Sequence, residues 1–216
     1  MKKNIATRAV TRFRLSGGYM DFLPIRRALL SVTDKTDLAP FAKFLVDGGA
    51  QLVSTGGTFK TLQDAGLPVT QVSDVTGFPE IMNGRVKTLH PKIHGGILAD
   101  KDNPAHLAQL AEHGIETFDL ICVNLYNFAE AVRKNLDVRA SIEEIDIGGP
   151  CMLRAAAKNF HSMLVVPHPQ FYPEIKAELE ANNGKAPLTL RQKMAAATFA
   201  ATSAYDRMIA DYLGGK

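Results

Sequence analysis

The 216-residue sequence has only two cysteines, Cys122 and Cys151, with no CxxC spacing and in apolar or small-residue surroundings. That excludes a disulfide framework and leaves the expectation of two buried free thiols in a reducing compartment. No apolar run reaches the roughly eighteen residues that a bilayer-spanning helix needs, so no membrane contact is expected. Internal repeats, low-complexity tracts and a secretory h-region are missing as well. Residues 1 to 19 contain no acid but carry Lys2, Lys3, Arg8, Arg12 and Arg14. These five cations exceed the whole formal charge of +3 and leave the remaining chain at about −2, which argues against a nucleic-acid-binding body. The opening has the composition of a transit peptide or of an upstream leader read through to Met20. The expectation is a basic leader or disordered tail over 1–24, then a single cytoplasmic domain over 25–216.

What is present is ordinary globular material, 46% hydrophobic and 22% charged, enough for one full core. Arg27 to Val32 is a short apolar run. Leu38, Phe41, Ala42, Leu45 and Val46 then recur at helical spacing up to Gly48-Gly49, which predicts a strand followed by a helix. Gln51 to Ser54, the turn Thr55-Gly-Gly-Thr58 and a helical stretch with Phe59 and Leu62 up to Gly66 repeat that unit. Phe118 to Tyr126 and Ser162 to Val166 are near-continuous apolar runs of the kind buried on both faces of a parallel sheet. Helical segments near 104–113 and 150–158 precede them. This alternation predicts an α/β fold, βαβ units about a mostly parallel sheet with helices on both faces, and ligands at the carboxyl ends of the strands. The last third reads as helical scaffold: Phe171 to Ala181, ended by Asn183-Gly184, then a segment to Tyr212 starting at the capping box Thr189-x-x-Gln192.

Thr55-Gly-Gly-Thr58 lies where strand meets helix, so its N–H groups and hydroxyls suit a phosphate; a plain glycine turn capped by threonine is the other reading. Lys35, in Ser31-Val-Thr-Asp-Lys-Thr36, adds a cation at the same sheet edge. Arg85, Lys87, Thr88, His90 and His94 fall between Gly84 and Gly95-Gly96, a loop dense in donors. Its spacing matches no zinc pattern and its cations oppose a metal, so an anionic ligand is expected, with no metal and no cofactor. Asn124 and Tyr126 end the apolar strand, where a buried amide or phenol needs a partner. Asp146-Ile-Gly-Gly149 precedes a segment of strong helical propensity that ends in Lys158 and Asn159. Lys158 either complements the helix dipole or reaches a site shared with Lys87, and periodicity does not choose.

Together SVTDKT at 31, STGGT at 54, GFPEIMNGRVKTLHPKIHGGIL at 77, NLY at 124, IDIGGP at 145 and LRAAAKN at 153 closely resemble the inosine monophosphate cyclohydrolase domain of bifunctional purine biosynthesis proteins. The resemblance covers nearly everything from 27 to 213. STGGT alone would also fit the wider superfamily of methylglyoxal synthase and the regulatory domain of carbamoyl phosphate synthetase, whereas RVKTLHP with AAAKN is specific. The resemblance implies a three-layer α/β/α, methylglyoxal-synthase-like fold with a helical C-terminal extension. It implies that the strand-end segments containing Thr33, Lys35, Thr55, Gly56, Gly57 and Thr58 hold the nucleotide phosphate, and that Asp34, Arg85, Val86, Lys87, Thr88, Asn124, Asp146 and Ile147 belong to the rest of the substrate site. The formyltransferase domain that usually follows is absent from this sequence, so formyl transfer is not assigned. A separate formyltransferase and a second copy of the chain are the partners the resemblance allows. Cys151 stands where relatives commonly have serine or threonine.

In the implied reaction a carboxamide nitrogen attacks the neighbouring formyl carbon, an oxyanion develops, and water leaves to aromatise the ring. An amide is a poor nucleophile, so the site must hold near-attack geometry, accept a proton and place donors at the formyl oxygen. Lys158 is expected to serve that oxygen as donor and proton shuttle with Lys87 assisting, while Asp146 and Tyr126 handle the carboxamide. Two other readings stay open at this point. A methylglyoxal synthase shares the phosphate turn but has no use for RVKTLHP, and a regulatory module that binds inosine monophosphate does not require Lys87, Lys158 and Asp146 together.

Overall fold

The computed structural model describes residues 20–125, 128, 133 and 137–215. Strand β1 (Phe22–Pro24) belongs to a small antiparallel ribbon at the edge of the body. The main sheet holds β2 (Arg27–Ser31), β3 (Gln51–Ser54), β4 (Val69–Gln71), β5 (Leu120–Val123) and β6 (Leu164–Val166), all parallel, in the order β4-β3-β2-β5-β6. Leu29 sits opposite Val53 on one side and Ile121 on the other. Every residue of β5 and β6 is buried, which is why these strands read as unbroken apolar runs rather than alternating ones.

The helices are α1 (Leu38–Asp47), α2 (Gly56–Asp64), α3 (Val72–Thr76), α4 (Pro91–Leu98), α5 (Pro104–Glu112), α6 (Val138–Glu143), α7 (Gly148–Lys158), α8 (Tyr172–Ala181) and α9 (Leu188–Leu213). The chain winds outward from β2 to β4 and then returns to β5 and β6. Right-handed crossovers therefore put α1 and α2 on one face and α4 and α7 on the other. Helix α8 packs with α1, and α9 lies along α7, which completes the expected three layers. On α1 the buried residues are Leu38, Phe41, Ala42 and Leu45, one helical stripe. Its Phe41 ring stacks on Tyr172 of α8 at 4.1 Å between centroids, and truncating it to alanine would cost about 3–5 kcal/mol.

Several expectations change. Residues 22–24, assigned to the leader, pair as β1 with β7 (Lys185–Pro187), and Leu23 is buried, so the packed body starts before residue 25. Gly95-Gly96 lie inside α4 rather than ending a loop. A Cβ at Gly96 would stand 2.5 Å from the Glu116 carbonyl oxygen, so close packing, not turning, excludes a side chain there. Helix α4 begins with Pro91 after His90, whose Nδ1 accepts from the Lys92 N–H at 3.1 Å. Helix α9 starts at Leu188, before the expected capping box: β7 and the Leu188 N–H bond to the Asp21 carbonyl at 2.9 Å set its entry. Cys122 is buried beside the Tyr172 hydroxyl at 3.3 Å, and burial pushes its thiol up to about 12, whereas Cys151 is only half-buried.

The amino edge of the sheet holds a buried ionic cluster. Asp119 accepts from the Arg26 and Arg27 N–H groups at 2.9 Å each and pairs with Lys101, which also donates to the Phe118 carbonyl at 2.7 Å. Burial lowers the Lys101 pKa, and Asp119 offsets part of that. Beneath it the buried Arg191 donates to the Met20, Phe160 and His161 carbonyls. These bonds close the helical C-terminal part onto the start of the body.

Candidate active site

The carboxyl edge opens into a cavity of about 920 Å³, located where the strand order reverses between β2 and β5, the expected position for a ligand in an open parallel sheet. Asn124, just past β5, ties this edge together. Its Oδ1 accepts from the Thr33 and Asp34 N–H groups at 2.7 and 2.9 Å, and its Nδ2 donates to the Asp34 carbonyl at 2.9 Å. The buried amide thus holds the loop after β2, leaving little of it for a ligand. Asp34 is exposed and lies outside the cavity lining. Its Oδ1 accepts from the Thr36 N–H at 2.9 Å, which shapes the local turn, and hydrogen bonding from Thr36 lowers its pKa.

The glycine turn forms one wall. Intrahelical bonding in α2 starts with the Phe59 N–H to the Thr55 carbonyl, so the Gly56, Gly57 and Thr58 N–H groups precede it and face the cavity end of the helix. Thr55 is fixed by Ser31, hydroxyl to hydroxyl at 2.9 Å. Thr58 has a different part from the one expected: its buried hydroxyl accepts from the Val32 N–H and donates to the Val32 carbonyl, both at 2.9 Å. It staples α2 to β2, and only its N–H is offered to a ligand. Two ammonium groups flank the turn. Lys35 Nζ stands 3.9 Å from where a Gly57 Cβ would be, and Lys87 Nζ 3.6 Å from the same point on Gly56.

The opposite wall is the head of α7 with the 82–89 segment. Asp146 Oδ1 accepts from the Gly149 N–H at 2.8 Å, and a Cβ on Gly149 would lie 2.2 Å from Oδ2. The carboxylate is thus folded over the helix N-terminus, and burial raises its pKa while the Gly149 bond offsets part of the rise. Thr88 is buried, with its hydroxyl 2.7 Å from the Cβ position of Gly148. Arg85 pairs with Glu143 at 3.0 Å, and Val86 and the exposed Ile147 complete the rim. Among the described residues no group of His, Cys, Asp and Glu is arranged to hold a metal ion, and no helix is long and apolar enough to cross a membrane.

One expected catalytic residue, Lys158, is not in this assembly, and another, Tyr126, lies outside the described residues. Lys158 is exposed at the far end of α7, about 15 Å of helix from the cavity, so a chain does not bring its own Lys158 to its own Lys87. Asn159 beside it donates to the Ile97 and Ala99 carbonyls at 2.8 and 2.9 Å and caps the end of α4. Sequence reading also missed Tyr205, whose hydroxyl accepts from the Asp146 N–H at 2.8 Å, and Glu80, which pairs with Lys87 at 2.9 Å. A separation of 59 residues hides the first, and no periodicity marks the second.

Comparison with known proteins agrees with this geometry. Residues 37–151 match the MGS-like domain family, and residues 156–216 match the AICARFT/IMPCHase bienzyme family. The chain is 52% identical over 193 residues to the bifunctional purine biosynthesis protein PurH of Dinoroseobacter shibae, covering 89% of this chain and 36% of that protein. Against PurH of Rhodospirillum rubrum the identity is 52% over 194 residues, covering 90% and 37%. The chain thus spans little more than a third of the length of these relatives. The solved crystal structure of ForH superposes with a TM-score of 0.78 at 35% identity, covering 88% of this chain and 97% of that one. With the parallel sheet and its glycine turn, these matches show that the chain belongs to the MGS-like domain family, while its C-terminal part is similar to the AICARFT/IMPCHase bienzyme family.

Proposed function

We propose that this chain is an inosine monophosphate cyclohydrolase of purine biosynthesis, closing 5-formamido-1-(5-phosphoribosyl)imidazole-4-carboxamide to inosine monophosphate with loss of water. The observation that carries the reading is the pairing of two unlike walls across one cavity. A glycine turn flanked by Lys35 and Lys87 faces a desolvated carboxylate, Asp146, at the head of α7. The relatives named as purine biosynthesis proteins support it.

The phosphate would sit on the Gly56, Gly57 and Thr58 N–H groups between the two ammonium groups. The imidazole then extends towards α7. Asp146, its pKa raised by burial, accepts the amide proton as the carboxamide nitrogen bonds to the formyl carbon. Donors at the formyl oxygen, among them Thr88 and the N-terminus of α7, stabilise the developing oxyanion. Protonation of that oxygen and its departure as water complete the ring. Tyr126 is proposed to orient the carboxamide. Lys158 keeps its role as proton shuttle through a second copy, since it lies too far along α7 to serve its own cavity. A homodimer in the cytoplasm, supplied by a formyltransferase on a separate chain, completes the proposal, with the described body acting as one domain.

Absorbance-monitored turnover of the formamido ribotide, with chelator and without folate, tests the activity: formation of inosine monophosphate is expected, and tight binding without turnover would remove the enzyme reading. Mixing a Lys158→Ala chain with an Asp146→Asn chain tests the second copy. Each alone should be impaired and the mixture should regain activity, whereas a mixture no better than its parts rules out a shared site.

A further inference from the structure

Lys87 reaches the phosphate turn from a loop that is shaped to deliver it. Ile81 and Val86 pair backbone to backbone at 3.2 and 3.4 Å. Between them Met82, Asn83 and Gly84 all take positive φ, 54°, 54° and 85°. Such a turn sets the flanking residues, Glu80 and Lys87, side by side, and their charged groups meet at 2.9 Å. The pair crosses the bare face of Gly84: a Cβ there would stand 2.6 Å from Lys87 Cε, 2.9 Å from its Nζ and 3.4 Å from Glu80 Oε2. The same Nζ lies 3.6 Å from the Cβ position of Gly56, so the ammonium is held between a carboxylate and the phosphate turn. Both side chains are partly exposed, at 34% and 44%, where an ion pair adds little to stability. What the pair decides is where the ammonium stands.

We propose that Glu80 is a positioning residue for Lys87: it fixes the ammonium over Gly56 before the ligand arrives, so that the phosphate meets two preformed cations. This rests on the phosphate half of the reading above and not on the ring-closing half. Without Glu80 the four-carbon arm of Lys87 would have to be ordered by the ligand, a loss of about three- to tenfold in affinity for one long side chain. Gly84 serves the same end, since any side chain there would push Lys87 Cε away.

The test is calorimetric titration of inorganic phosphate, inosine monophosphate and inosine into the full chain and its Glu80→Ala, Glu80→Gln, Lys87→Met and Glu80→Ala/Lys87→Met variants. Glu80→Ala should weaken both phosphate-bearing ligands about three- to tenfold. Glu80→Gln, which keeps an acceptor for the ammonium, should recover part of the loss, and inosine affinity should be unaffected. In the Lys87→Met background Glu80→Ala should change affinity less than about twofold, the signature of one residue acting through the other. Unchanged or tighter phosphate binding by Glu80→Ala would overturn the proposal, because Glu80 would then compete with the anion. A loss that persists without Lys87, or one shared equally by inosine, would overturn it too. Wild-type turnover is read separately: a chain that binds phosphate through this pair but closes no ring would refute the cyclohydrolase reading and leave Glu80 in its role.

Discussion

The two ends of the parallel sheet carry similar charges and use them in opposite ways. At the amino edge a second cavity of about 820 Å³, lined by Arg26, Arg27, Lys101 and Asp119, is nearly as large as the one at the carboxyl edge. The buried charges there are spoken for: Lys101 and two backbone N–H groups converge on Asp119, and Arg27 pairs with Glu116 at 2.8 Å while lying over the Phe118 ring. At the carboxyl edge Lys35 reaches, among the described residues, only the Thr33 carbonyl, at 3.3 Å, and the first N–H groups of α2 open into the cavity. Size therefore does not identify the site. A buried ion cluster whose valences are filled is scaffold, and an edge with donors to spare is a place for an anion.

The contrast can be broken most sharply at Asp119. Asp119→Ala leaves a buried ammonium without its counter-charge and two N–H groups unpaired, so a loss of about 3–5 kcal/mol is expected, seen as a fall of roughly 6–20 °C in thermal unfolding. The affinity of the folded fraction for inosine monophosphate should stay within about twofold. A variant that melts normally but fails to bind would reverse the roles of the two edges.

Asp146→Asn should do the reverse, lowering turnover about a hundredfold without a comparable loss of stability. Burial raises the Asp146 pKa, so the folded chain holds that proton more tightly than the unfolded one. Its contribution to stability is then complete below the ordinary carboxylate range and is lost as pH rises through the raised folded value. Melting the wild type and Asp146→Asn side by side from pH 7 to pH 4 should show the wild type gaining on the variant as pH falls. Parallel curves would mean that the carboxylate is not desolvated.

A smaller effect is expected at Lys35. Lys35→Ala should weaken inosine monophosphate binding about tenfold, the worth of one charge-assisted bond, with thermal unfolding unmoved and turnover at saturation largely kept. A normal Michaelis constant would take Lys35 out of the phosphate site.

Much of this was legible in the residues. The apolar runs in β2, β3, β5 and β6 and the helical stripe of α1 depend on local periodicity, and periodicity is a property of neighbouring residues. The glycine turn was legible for the same reason: strand, turn and helix N-terminus are contiguous. Gly95-Gly96 misled because close approach and free turning both call for glycine, and only the partner, here the Glu116 carbonyl, tells them apart. Thr58 misled because a hydroxyl beside a phosphate turn suggests a ligand contact, while its bonds go to Val32, 26 residues earlier.

The sequence by itself determined the α/β class, the glycine turn between strand and helix and the family resemblance, since each rests on short-range pattern or contiguous motifs. Tertiary structure alone decided which charges are spent and which are free. It put Asp119 among donors from β2 and Lys101, set Tyr205 behind Asp146, and stood Glu80 beside Lys87. It also carried Lys158 away from Lys87, because α7 points its N-terminus, not its C-terminus, at the cavity. The physical reason is common to all of these: whether a charge is satisfied depends on distances between chain segments that are remote in sequence, and packing sets those distances.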